Sequence, residues 1–320
     1  MNVEKKAIRR SVGQMSRFYL AYQLLFLFGG IVSTLVMAVP LLLQETAITE
    51  EHFNQVLVNK MGLISLVSIS FAAVFVLLKR RKKLWQVDLY NFKYPSAKIK
   101  LSTLGICVLL LFAAQAVYMC LSPAVEWSAN QLGYTMAPYL ELTSVEENTI
   151  LMLVYASILG PIMEEVVFRG VLLQYLLPHG KFFAISISAL LFGCFHGELT
   201  QGIFAFICGL VFSYLTIEYS IKWAILLHIF NNFLLSTVLS GLLDLLPQSM
   251  NTIFFALISI IGGGCGLFLL WKNRTKVKAA LNRNIAKKGT YLQSFTSIWF
   301  LLCVGWGLYE CIDIFTKISH

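Results

Sequence analysis

Charge is the scarcest commodity in this chain. Only 13% of its 320 residues are Asp, Glu, Lys or Arg, where a soluble globular protein carries roughly 25%. With 58% hydrophobic residues, that shortage excludes an ordinary water-soluble domain and predicts a polytopic membrane protein. No polar stretch is long enough to build a separate soluble core. There is no C-x-x-C pair among the seven cysteines, all of which fall in apolar runs, so they read as reduced, small buried hydrophobes. There is no H-E-x-x-H, no internal repeat, no low-complexity segment and no nucleic-acid motif. The first apolar run is long and lacks a small-residue cleavage site, which predicts a retained span rather than a cleaved leader.

What is present is a series of apolar runs separated by charged loops. A spanning helix needs ~20 mostly apolar residues. The runs predict an all-α transmembrane helix bundle of eight to nine spans, near residues 18–43, 61–78, 101–121, 149–177, 182–196, 200–217, 221–243, 253–271 and 295–315. They group as an N-terminal three-span region (1–147), a central region (148–243) and C-terminal spans with a basic loop (244–320). The net charge of +9 is uneven. Basic residues crowd the N-terminus and the loops 79–100 and 272–294, which includes Lys287 and Lys288. The loop 122–147 holds Glu126, Glu141, Glu146 and Glu147 and neither Lys nor Arg; Glu45 lies in another acidic loop. By the positive-inside rule the N-terminus and both basic loops face the cytoplasm and loop 122–147 faces out.

Against this background three polar sets stand inside apolar runs, where charge marks a functional site by default. The first is Glu164-Glu165-x-x-x-Arg169, just after Pro161. Glu165 and Arg169 are four apart with the acid first, the better order for a helical ion pair. Glu164 points about 100° away round the helix, so one acid is held while its neighbour is free. The second set is Phe192-x-x-x-His196 and the third His228-x-x-x-Asn232. Together they hold a base, an orienting group and oxyanion donors. Counted at ~1.5 Å per residue, Glu164 and His196 each lie about 20 Å from the inner end of their spans. His228 is only ~10 Å from Ile221, so it needs a tilt or an earlier start to come level. Asn231 stands beside Asn232 as a second amide.

These motifs, in this order on separate spans, resemble the CAAX protease and bacteriocin-processing (Abi) family of intramembrane endopeptidases over about residues 148–243. The resemblance implies a peptidase acting on a peptide or membrane-protein substrate in the bilayer, in peptide maturation or bacteriocin self-immunity. It implies Glu164 as the base that activates water and His196 as the residue that helps hold it. It also implies His228 and Asn232 as oxyanion donors, with Glu165 and Arg169 as support. It implies a glutamate-type enzyme, although the family has been classed as metalloprotease. Two membrane histidines are few for zinc, which prefers three or four N, S or O protein ligands; a divalent metal such as zinc stays as the second reading. Short loops suggest a bacterial cell membrane. The alternative function is a non-catalytic scaffold or regulator binding a partner through the same groove. Elsewhere, Glu198 reads as a solvated loop residue, His52, His179 and His320 as surface groups, and Glu310 and Asp313 as outer-end groups. Gly262–Gly266 reads as a close helix contact.

Overall fold

A computed structural model describes residues 3–43, 49–146, 149–286 and 289–318. Glu45, Glu147, Lys287, Lys288 and His320 lie outside the described residues, and of the His52 side chain nothing is described. The protein is an all-α bundle. Among the described residues, seven helices are long and apolar enough to cross a membrane. These are α1 (Val3–Leu42), α2 (Glu50–Arg80), α3 (Leu101–Gln131), α4 (Ile150–His179), α6 (Leu199–Glu218), α7 (Ile221–Leu243) and α8 (Gln248–Lys272). The intervening α5 (Lys181–Cys194) is apolar but shorter. The basic helix α9 (Arg274–Asn284) and the sixteen-residue α10 (Ile298–Asp313) complete the set.

Helices extend past the apolar runs that announced them. The polar, basic residues from Val3 onward already belong to α1, and α3 runs through Pro123 to Gln131, so much of the acidic loop is helical. A two-residue antiparallel pairing, Tyr134–Thr135 with Thr316–Lys317, ties the end of that loop to the C-terminal segment. Leu24, Phe28, Ile31 and Leu35 are exposed at helical spacing, a stripe that a bilayer covers. Helix α8 meets α3 through glycine: a Cβ on Gly263 would lie 2.6 Å from the Ala113 backbone. Small residues permit such close approach between spans.

At the basic end the bundle is plugged. After Arg80 the chain turns back, and Leu84, Asp88 and Leu89 are buried beneath α4 and α7. Arg80 Nε donates to Asp88 at 2.7 Å and Arg80 Nη1 to the Tyr175 hydroxyl at 2.8 Å. Asn91 Nδ2 donates to the Thr216 carbonyl at 2.6 Å, and the Ser220 hydroxyl donates to the Asn91 carbonyl at 2.7 Å. These bonds clamp the segment to the corner between α6 and α7. His179, expected at the surface, is half-buried, its Nε2 2.9 Å from the Ser11 hydroxyl.

This plug explains the level of α7. Ile221 is fully buried and faces Gly170, so α7 starts inside the bundle rather than at its surface. Gly170 is seven residues above Leu177, about 10 Å along α4. Adding that to the ~10 Å between Ile221 and His228 brings His228 level with Glu164.

Candidate active site

Two of the site helices are not regular. Helix α4 widens to π geometry over Tyr155–Leu159 and again over Val166–Leu172, and α7 does so over Phe230–Leu239. Such wide turns recur at functional sites because they shift backbone groups out of the regular ladder. Here side chains use them. The Ala156 carbonyl accepts from Asn232 Nδ2 at 3.0 Å, and the Phe168 carbonyl accepts from the Ser188 hydroxyl at 2.8 Å. Pro161, without an N–H, follows the first wide turn, and the helix continues through it.

The two adjacent acids part as helix geometry requires. Glu165 is fully buried, and its Oε1 accepts from Arg169 Nη1 and from His228 Nδ1, each at 2.9 Å. A carboxylate can only accept, so the proton of this bond sits on Nδ1 of His228. The other ring nitrogen, Nε2, then faces Glu164 Oε2 at 3.7 Å. Glu164 keeps a 17% exposed side chain, and His228 is its only ion partner among the described residues. It projects into a cavity of about 420 Å³ that His196, His228, Asn231 and Asn232 also line.

His196 and Asn232 are anchored by backbone. His196 Nδ1 is 2.8 Å from the Phe192 carbonyl, an acceptor, which leaves Nε2 for the cavity. Asn232 donates to Ala156 and accepts from Asn231 Nδ2 at 3.0 Å. Both amides therefore face the chamber as a bonded pair. Thus the structure brings Glu164, His196, His228 and Asn232 to one cavity and puts Glu165 and Arg169 behind it.

Arg169 is also surrounded by rings. Its guanidinium carbon lies 4.1 Å from the Phe192 ring centre, 5.4 Å from that of Phe212 and 5.8 Å from that of Phe168. Cation–π attraction strengthens when the cation is desolvated, and Arg169 is fully buried. Phe212 also stacks on His228, with ring centres 4.8 Å apart, and Phe192 meets the His196 edge at the same separation. The phenylalanine of the second motif thus touches all three cationic or imidazole groups.

Gly209 of α6 is a site residue the motifs do not reveal. A Cβ there would sit 3.0 Å from Arg169 Nη2 and 3.2 Å from the Ala189 backbone. The backbone cannot yield, so the arginine must. Gly209→Ala is expected to displace Arg169, loosen the Glu165–His228 bond and lower turnover more than it lowers thermal stability. Activity alongside a thermal melt in detergent checks this.

Glu198 is corrected outright. It is 2% exposed and caps α6: Oε1 accepts from Thr200 N at 2.6 Å and Oε2 from Gln201 N at 2.6 Å. Gly197, at φ +65°, makes the turn from His196 into this cap, and Glu310 packs against it. Glu198→Ala is expected to destabilise the protein by about 1–2 kcal/mol, the upper range for a lost cap, measured as a lowered melting temperature.

Among the described residues no group of three or more His, Cys, Asp or Glu is placed to hold a metal ion.

Residues 146–234, which carry all three motifs, match the family model described as type II CAAX prenyl endopeptidase Rce1-like. No curated protein and no solved structure matches the chain. The protein is integral to the membrane, and its central segment resembles a type II CAAX prenyl endopeptidase domain.

Proposed function

We propose that the protein hydrolyses a peptide bond with a water molecule activated by Glu164, without a metal. The observation that carries this reading is the split between the adjacent acids. One is neutralised by Arg169 and His228, while the other opens onto a chamber shared with His196, His228 and Asn232. Glu164 takes a proton from water as its oxygen bonds to the carbonyl carbon of the substrate. The electron pair of the carbonyl moves to oxygen, where a protonated Nε2 of His228 and the second N–H of the Asn232 amide stabilise it. Collapse of that oxyanion breaks the C–N bond, and Glu164 returns the proton to the leaving amine. Nε2 of His196 helps hold the water. With His228 doubly protonated, the charges of Glu164, Glu165, Arg169 and His228 sum to zero. That balance suits a largely buried site, where uncompensated charge is costly.

Residues 148–243 act as the catalytic core in this reading, with the flanking spans as its frame. The N-terminus lies in the cytoplasm, and maturation of a peptide is the role such an activity suits. The test is a peptide library presented to the purified protein in proteoliposomes, with products read by mass spectrometry. Cut peptides with the native protein and none with Glu164→Ala support the proposal. Equal products from both would remove Glu164 from the chemistry, whereas full rescue of a deletion phenotype by Glu164→Ala and by His196→Ala would favour the scaffold reading instead.

A further inference from the structure

The chamber has one wall that hydrolysis alone does not explain, and it runs in one direction only. From Glu164 it follows the start of α4 (Met152, Leu153, Ala156, Ser157) and the end of α7 as far as Gly241 and Asp244. No residue of α4 beyond Glu164 lines it. Below Glu164 the bundle is solid: Val167, Phe168, Val171, Leu172 and Leu176 are fully buried. Beneath them lies the plug that joins Arg80, Asp88 and Tyr175. The cavity therefore opens at the end of the bundle opposite the basic 79–100 segment.

One side of that path is polar, facing Phe204, Ala205 and Cys208 of α6 across the cavity. Asn232, Ser236 and Ser240 follow each other every four residues on α7, with Asp244 four residues further on just past its end, Thr237 beside them and Ser157 across from them on α4. The Ser157 and Thr237 hydroxyls bond each other at 3.3 Å. The Ser236 and Thr237 hydroxyls return to the Asn231 and Asn232 carbonyls of the wide turn, at 3.2 and 3.0 Å. Each hydroxyl keeps acceptor lone pairs for a ligand. Hydroxyls and amides at this spacing match the N–H and C=O groups of a peptide. Against an isoprenoid chain they would lose their water and gain no partner.

Resting on the hydrolase reading above, we propose that this chamber takes an unlipidated peptide segment. It enters from the face opposite the basic loops, the extracytoplasmic face by the charge rule. A prenylated CAAX segment, the kind of substrate the family description names, is not its substrate. Entry from that face puts the scissile bond at Glu164 after the peptide has passed Asp244 and Ser240.

Two measurements test this separately from hydrolysis. Ser240→Cys and Met152→Cys report the mouth, and Lys82→Cys reports the basic end. Each is labelled with a membrane-impermeant maleimide in right-side-out and inside-out vesicles, with the native cysteine signal subtracted. The two mouth reporters should label only from the side opposite Lys82→Cys. Labelling from the same side as Lys82→Cys overturns the proposed entrance, whatever the enzyme does. In proteoliposomes, one peptide pool is offered with and without a farnesyl group on a C-terminal cysteine. Cleavage of the unmodified pool is expected. Cleavage confined to the farnesylated pool overturns the substrate class while leaving the hydrolase reading intact. If neither pool is cut, that reading fails, and the labelling still decides the side of entry.

Discussion

Glu164→Gln should lower turnover by about 10²–10⁴-fold, the usual worth of a positioned general base, and leave the melting temperature nearly unchanged. The reason lies in what the side chain does not hold. Its nearest ionic contact is His228 Nε2 at 3.7 Å, too long for a hydrogen bond, and its carboxylate reaches the open chamber. Glutamine has the same shape and keeps an acceptor oxygen, so packing and bound water survive while basicity is lost. Steady-state cleavage and a thermal melt on the same preparation give the answer. A variant that cuts within a few-fold of the native rate would remove Glu164 from the chemistry.

Much of this arrangement could be read before any coordinates. Four-residue spacing with the acid first pointed to the Glu165–Arg169 pair, and the turn of a helix sent Glu164 elsewhere. Hydropathy outlined the long spans because a bilayer imposes length and polarity together. The rest was hidden for identifiable reasons. His228 and Glu165 are 63 residues apart, and a depth counted from Ile221 assumed that α7 begins at the membrane surface. The plug that raises its start is a polar segment after Arg80, with no pattern to announce where it folds. The π turns leave no mark in apolar spacing. Gly209 matters through an arginine on another helix, which only the packed structure shows. The capping role of Glu198 went unread because Ser, Thr, Asp and Asn are the common caps. A turn glycine before it and Thr-Gln after Leu199 were the available signals.

One residue along from Glu164, loss of the carboxylate should have the opposite character. Glu165→Ala is expected to destabilise the protein by about 3–5 kcal/mol, because breaking a buried ion pair strands its partner. Arg169 has no exposure and no route to water, and its Nε and Nη2 already lack hydrogen-bond partners. The three surrounding phenylalanine rings attract the cation but cannot accept its Nη1–H as a carboxylate does. Arg169→Met alone leaves Glu165 with His228 as its one remaining partner and should cost a comparable amount. The double variant Glu165→Leu/Arg169→Met removes both charges and fills the space with apolar atoms. Its stability should recover well above the sum of the two single losses, since such replacements are often neutral or stabilising. Activity should not return with it. His228 would lose the acceptor that fixes its Nδ1 proton and turns Nε2 toward Glu164, so a stable but inactive protein is the expected result. Melting temperatures for the four-member cycle, with turnover measured on the double variant, test both halves. A double variant that is stable and fully active would show that Glu165 does not orient His228.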